Sequence, residues 1–180
     1  MKRIFYLLGA MVITCCSDDS KDESKNFTYS YYSDRSITVT NGFIAKCGEP
    51  DYDGIQEFKI RLAGPDIKAG EDGTLMGYGD SFFIYLDSES STELLEGEYE
   101  IRAYKAGLLL DHNFDSDGGS GESIAADHGV VTVAKSEDNY TLTFNITLED
   151  SSSEDQALKG TFKGKLKEAF PQSKYLRELE

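Results

Sequence analysis

Apolar and polar residues alternate along most of the chain from Phe27 onward. A period of two residues is the period at which side chains reach the same face of a β-strand. Clusters of Gly, Asp, Asn and Ser separate the alternating runs, as expected for turns. The alternating apolar positions are Phe27, Tyr29, Tyr31, Ile37, Val39, Phe58, Ile60, Leu62, Phe82, Ile84, Leu86, Tyr99, Ile101, Val131, Val133, Tyr140, Leu142, Phe144, Ile146, Leu148 and Leu158.

The pattern predicts about eight short strands, each with one buried face. The predicted fold class is therefore all-β, an antiparallel β-sandwich or small barrel. "VVTVAK" and "NYTLTFNITL" are joined by the short polar segment Ser136–Asn139, which predicts a hairpin. Helical periodicity is almost absent until the tail Leu166–Glu180, where Pro171 limits any helix upstream and Lys174 to Glu180 could form a turn or two.

The N-terminus has the pattern of a signal peptide. Lys2 and Arg3 are followed by an uncharged run from Ile4 to Thr14. As a helix, this run would cross only about half of the ~30 Å hydrocarbon core of a bilayer. We therefore expect residues 1–15 to be a signal peptide rather than a membrane span.

Two adjacent cysteines end this run. Ile13-Thr14-Cys15-Cys16 resembles the lipobox of bacterial lipoproteins, in which a cysteine is thioether-linked to diacylglycerol and becomes the new N-terminus. The acidic run that begins at Ser17 is similar to the export signal of surface-exposed lipoproteins of the Bacteroidota. That spacing favours Cys16 as the lipidated residue, with Cys15 as the alternative. The resemblance implies an outer-membrane protein that is lipid-anchored at the cell surface; a plain secretory signal is the competing interpretation.

A second resemblance covers residues 80–168. The segments "GEYEI", "GVVTVAK", "NYTLTFNI" and "LKGTFKGKL" follow one another as in many small Bacteroidota lipoproteins of unknown function. The resemblance implies an all-β fold and an envelope location. It carries no functional residue.

These signals divide the chain into four parts. Residues 1–15 form the signal peptide, and residues 16–26 form the lipidated cysteine and an acidic tether. The tether has no aliphatic or aromatic side chain after Cys16, so it buries too little surface to become ordered. Residues 27–170 form the β domain, and residues 171–180 form a C-terminal tail.

The charge of the chain limits the classes of partner that it can bind. Its 33 acidic residues outnumber 18 basic ones, for a formal net charge of -15. Nucleic acid is thereby excluded as a partner, since phosphate contacts require clustered Lys and Arg. The same charge disfavours adsorption onto an anionic bilayer, which leaves the lipid anchor as the route to the membrane.

The Asp/Gly-rich loop after "LLLDH" offers a candidate calcium site. "NFDSDG" places oxygen-bearing side chains at every second residue and then a glycine, as in the first half of a calcium-binding loop. An EF-hand is excluded, because its twelfth position is Ile124 and flanking helices are missing. A solvated loop without metal is the competing interpretation. The candidate ligands are Asn113, Asp115, Asp117 and Glu122.

Exposed tyrosines offer a candidate ligand surface. Tyr31 and Tyr32 are adjacent on a predicted strand, so their rings should lie on opposite faces of it. Tyr78 lies between glycines in a predicted loop. Aromatic rings can stack on sugars, so a glycan is one predicted partner and another protein is the second. The competing interpretation places the aromatic residues in the core.

Catalysis has little support in the sequence. Cys47 is expected at the end of a strand as a small apolar residue. His112 and His128 each follow an Asp, but adjacent side chains on an extended strand point to opposite faces, so neither pair should act jointly on a zinc ion. No nucleophile motif or phosphate loop is present. We expect a protein that is not an enzyme, with a glycan-active hydrolase as the remote alternative.

Overall fold

The computed structural model describes residues 25–31, 33–115, 120–149 and 156–169, with side chains for 36–115, 120–149 and 157–169. These parts contain strands and turns but no helix, and therefore no helix that could span a membrane. In chain order the strands are β1 (Lys25–Tyr31), β2 (Ser33–Val39), β3 (Asn41–Cys47), β4 (Gln56–Ala63), β5 (Lys68–Ala69), β6 (Leu75–Met76), β7 (Tyr78–Ser88), β8 (Gly97–Ile101), β9 (Ala106–Asn113), β10 (Glu122–Ser136), β11 (Asn139–Leu148), β12 (Gln156–Gly164) and β13 (Leu166–Glu168).

Most of these strands form one sheet. Its order is β13-β3-β4-β7-β9-β10-β11-β12-β1-β2, and β8 pairs with β10 on the edge that β10 also shares with β9. All pairings are antiparallel except that of β13 with β3. Strands β5 and β6 form a separate small hairpin. The all-β prediction is confirmed, with more strands than the alternation alone indicates.

The sheet curls until its two halves face each other. Phe82 on β7 and Phe144 on β11 have ring centroids 5.0 Å apart, although β9 and β10 lie between those strands in the sheet. Ile37 and Val39 of β2, at one edge, join the same apolar cluster as Ile60 of β4 near the other edge. The result is a half-barrel around a single main core, within the predicted choice of sandwich or small barrel.

The predicted alternation identifies the core positions. Tyr99 and Tyr140 are partly buried against this core, and the side chains of Phe27, Tyr29 and Tyr31 lie outside the described ones. The remaining predicted positions are buried: Ile37, Val39, Phe58, Ile60, Leu62, Phe82, Ile84, Leu86, Ile101, Val131, Val133, Leu142, Phe144, Ile146, Leu148 and Leu158.

Strand β9 lies outside the alternating pattern because it is covered on both faces. Leu108 and Leu110 face the main core, while a Cβ at Gly107 would lie 2.8 Å from the ring of Phe83 on the opposite face. The first five residues of β9, Ala106–Leu110, therefore form a continuous apolar run. β9 continues to Asn113, so the Asp/Gly-rich loop is shorter than its composition suggests.

The predicted hairpin of β10 and β11 is confirmed. Ser136 pairs with Asn139, which leaves Glu137 and Asp138 as the turn. Glu137 has a φ of 55°, as a tight hairpin turn requires of at least one central residue.

Strand β10 serves both halves of the sheet. Residues Glu122–Ala125 pair with β9, and residues Gly129–Val133 pair with β8. On its other edge β10 pairs with β11, where the register shifts between Ala126 and His128. The extra residue, Asp127, is a β-bulge, which bends the strand where it passes from one half to the other.

A smaller apolar cluster covers the opposite face of β3 and β4. It consists of Phe43, Ala63, Ile67, Leu75 and Ala169. The β5–β6 hairpin supplies part of this cover. Both faces of this half of the sheet are therefore partly packed, whereas the outer face of the β10–β11–β12 half carries polar residues.

Candidate functional site

The bulge in β10 places two adjacent polar side chains on the same face. Without it, Asp127 and His128 would point to opposite faces, as the sequence pattern predicts. Instead, Oδ2 of Asp127 lies 2.8 Å from Nδ1 of His128. The expectation that adjacent Asp and His side chains point to opposite faces is therefore wrong for residues 127 and 128, because the bulge interrupts the alternation.

The contact with Asp127 fixes the state of the neutral imidazole. A carboxylate only accepts hydrogen bonds, so Nδ1 of His128 carries the proton and Nε2 is left to accept one. Nε2 lies 3.4 Å from Oγ1 of Thr147, which is opposite His128 on β11. Asp127, His128 and Thr147 thus form a connected row across two strands.

This row borders a shallow depression on the outer face of the sheet, which we call the bulge pocket. Its volume is about 340 Å³. The residues that line it include five with different polar groups: a carboxylate, a guanidinium, an imidazole, an amide and a hydroxyl group. Its lining residues are Glu100, Ile101, Arg102, His128, Gly129, Val130, Asn145 and Thr147.

The backbone around the pocket is closely packed. A Cβ at Gly129 would lie 2.7 Å from the carbonyl oxygen of Asn145 and from the Cα of Ile146, so the residue after the bulge has to be glycine. On the other side, the backbone N–H of Tyr104 donates to the carbonyl of Ala126 at 2.9 Å. That bond attaches the turn between β8 and β9 to the bulge.

Sequence reasoning did not identify the bulge pocket. One signal was available: the buried positions before the bulge, Ile124 and Ala126, are even-numbered, and those after it, Val131 and Val133, are odd-numbered. A change of phase within one strand requires an extra residue. The residues at the change are Asp127 and His128.

The row of Asp127, His128 and Thr147 has the order of groups found in nucleophilic triads. However, the side chain of His128 is 64% exposed and that of Asp127 is 46% exposed. Water at such a site weakens the electrostatic stabilisation on which a triad depends. Nothing in the described residues indicates catalysis, and the row serves to orient His128.

Tyr78, one of the two tyrosines predicted to bind ligand, is the first residue of β7 rather than part of a loop. Its side chain is 55% exposed, in line with an available ring. Tyr32 lies outside the described residues. Tyr52 and Tyr104 are also exposed, in the turns after β3 and β8 respectively.

The predicted calcium ligands lie at the ends of two paired strands. Asn113 ends β9, Glu122 begins β10, and Asp117 lies outside the described residues. Oδ1 of Asn113 accepts the backbone N–H of Asp115, and Oδ1 of Asp115 accepts the backbone N–H of Gly77, both at 2.9 Å. The Asn113 oxygen therefore orders the turn at Asp115, and the Asp115 carboxylate attaches that turn to the residue before β7.

Calcium binding stays a prediction. Among the residues that the structure describes, no three or more His, Cys, Asp and Glu side chains are grouped so as to hold a metal ion.

A buried arginine lies beneath the same loop. Nη1 of Arg61 donates to Oγ of Ser81 at 3.2 Å, and its guanidinium lies 5.0 Å from the ring centroid of Phe114. His112 packs edge-on against Phe114, with the ring centroids 4.5 Å apart. Burial and the nearby charge of Arg61 lower the pKa of His112 below its ordinary value.

Cys47 ends β3, as expected from the sequence. Burial, and to a lesser degree the carboxylate of Glu57, raise the pKa of its thiol. The thiolate that a nucleophile requires is thereby disfavoured. Cys15 and Cys16, the two candidate lipidation residues, lie outside the described residues.

The comparisons with known proteins return no relative: no protein-family model, no curated protein and no solved structure matches the chain.

We expect Asp115→Ala to lower the free energy of unfolding by about 0.5–1.5 kcal/mol, the typical contribution of one hydrogen bond. The loss should be the same in EDTA and in millimolar Ca²⁺, because the lost contact is the bond to the Gly77 N–H. Urea unfolding measures it, with the exposed Asp53→Ala as control. Two results together would contradict this: a gain in stability of wild type with Ca²⁺, and an Asp115→Ala variant as stable as wild type in EDTA. They would show that the Asp115 carboxylate binds calcium.

His112 should make the protein less stable in mild acid. Because its pKa is lowered in the folded state, the neutral form is favoured on folding, and stability is lost as the pH falls below about 6.5, the ordinary value for histidine. The melting temperature of wild type should therefore fall more between pH 7.5 and pH 5.5, roughly the range around that value, than that of His112→Gln. His128→Gln is the control for removal of a histidine. Equal slopes for wild type and His112→Gln would contradict this explanation.

Proposed function

We propose that this chain is a lipid-anchored β domain of a bacterial outer membrane, displayed at the cell surface, where it binds a ligand or partner. The anchor is supported by the N-terminal sequence: a short apolar run, then Cys16, then an acidic run. The binding role is supported by one observation above all, the bulge pocket.

The physical case for the anchor rests on acyl-chain energetics. Each buried methylene contributes about 0.8 kcal/mol, so two or more acyl chains hold a protein stably where one does not. A formal net charge of -15 disfavours electrostatic attachment to an anionic membrane surface. The lipid accounts for membrane association by itself.

The case for binding rests on the composition of the pocket. Polar residues of any kind are sufficient on the solvent-exposed face of a sheet. Thr143 of β11 and Thr161 of β12 are an example of such ordinary surface residues. Around the bulge, five different polar groups instead surround one depression. Convergent polar groups at a concave site are the usual mark of ligand recognition.

The role is that of a binding protein rather than a catalyst. The bulge row is open to water, and the thiol of Cys47 is held in its protonated form by burial. These features favour recognition of a ligand without its conversion.

Cys16→Ala should release the protein from the outer membrane into soluble fractions, because it removes the only sulfur to which the lipid would be attached. Cys15→Ala is the matched control and should remain membrane-bound. Immunoblots of fractionated cells measure the distribution, and an intact-mass spectrum of the wild-type protein should show the added acyl chains. Retention of Cys16→Ala together with release of Cys15→Ala would assign the lipid to Cys15 instead, and membrane retention of both variants at the wild-type level would refute the proposed anchor.

A further inference from the structure

We propose that the bulge pocket binds a small neutral saccharide. This inference rests on the proposed binding function and names the ligand class for that site. It is carried by the size, the donor and acceptor pattern, the charge and the rigidity of the pocket.

The volume of about 340 Å³ lies at the lower end of the range for small-ligand sites, about 300–1,000 Å³. The pocket lies on the outer face of the sheet, between β8, β10 and β11, and is open to solvent. Such a shape suits about one or two sugar rings and not a large apolar molecule, which requires an enclosed cavity.

The polar groups match the hydroxyl groups of a sugar, each of which both donates and accepts. Arg102 supplies donors and Glu100 supplies acceptors, while the amide of Asn145 supplies both. The hydroxyl of Thr147 can do either. Donors and acceptors within one depression can satisfy adjacent hydroxyls of one ring in pairs.

The charges disfavour an ion as the ligand. Glu100 and Arg102 both line the pocket, and the carboxylate of Asp127 contacts a third lining residue, His128, so a phosphate or carboxylate would meet repulsion as well as attraction. The net charge of -15 adds a further unfavourable field for anions. A metal ion would meet Arg102, and no three metal ligands are grouped here or elsewhere in the described residues.

The scaffold holds the polar groups in place before the ligand arrives. Ile146, between Asn145 and Thr147, is fully buried in the core, so both outward side chains project from a fixed strand. Asp127 fixes the ring of His128 from the other side. A preorganised site has less entropy to lose on binding.

An exposed aromatic residue belongs to the same turn as Arg102. The side chain of Tyr104 is 68% exposed, and its backbone is bound to the bulge through the carbonyl of Ala126. Such a ring offers an apolar surface on the same turn as a residue that lines the polar site, which suits the mixed character of a sugar.

The test is a titration of the full chain, with its anchor in detergent micelles, by methyl glycosides of glucose, galactose, mannose and N-acetylglucosamine. Backbone ¹H–¹⁵N spectra are recorded in EDTA, which removes divalent metals. We expect at least one glycoside to produce saturable shifts at millimolar concentration, confined to amides around Gly129, Val130, Asn145 and Thr147.

Matched variants separate recognition from structure. Thr147→Ala should weaken binding by about five-fold, the effect of one lost hydrogen bond, and Arg102→Ala should weaken it at least as much. Thr143→Ala makes the identical change on the same strand and face, outside the pocket, and should bind as wild type does. The dispersion of each spectrum reports that the variant is folded.

Three results would overturn the inference. The first is the absence of saturable shifts with all four glycosides. The second is saturable shifts centred elsewhere, such as around Tyr78, which would preserve a binding role but reject this site. The third is equal weakening by Thr143→Ala and Thr147→Ala. None of these affects the membrane fractionation of Cys16→Ala, so failure of the saccharide site and failure of the anchor are distinguishable.

Discussion

Strand β10 has to present apolar side chains to one core from two halves of a sharply curled sheet. Its first part pairs with β9 and its second with β8, and the two parts meet at Asp127. A regular strand of this length could not bend so far and still turn its buried side chains toward the core along both the part paired with β9 and the part paired with β8. The single extra residue bends the strand and shifts the alternation of its side chains by one position. The enclosure of the core depends on this residue.

The same residue creates the candidate site. Because the bulge interrupts the alternation, Asp127 and His128 share the outer face instead of dividing between the two faces. Regular pairing with β11 continues through Gly129, where a larger residue would not fit. Core packing and the arrangement of polar groups at the surface therefore follow from one backbone feature.

The fold class could be predicted from the sequence because most strands bury one face only. Leu142, Phe144 and Ile146 of β11 are each buried where the alternation places them. β9 could not be recognised in this way, since Leu108 and Leu110 face the core and Gly107 is covered by Phe83. A strand that is buried on both faces has no polar residues between its apolar ones, so the alternation is absent.

The site could be predicted less well, because it depends on contacts between distant segments. Tyr78 was singled out correctly as a residue open to solvent, but Arg102 and Asn145 carry no local motif. They meet only because β8 and β11 flank β10 on its two edges. The oxygens of Asn113 and Asp115 follow a calcium-like spacing, yet both hold backbone N–H groups, a use that spacing alone does not reveal.

The register of β10 against β11 decides whether this account is right. Cross-strand backbone NOEs in an isotope-labelled sample would measure it directly. The bulge predicts that Ala126 lies opposite Leu148 and His128 lies opposite Thr147, with Asp127 unpaired between them. Asp127 opposite Thr147 and His128 opposite Ile146 would show an unbroken ladder, and both the shared face and the bulge pocket would then be lost.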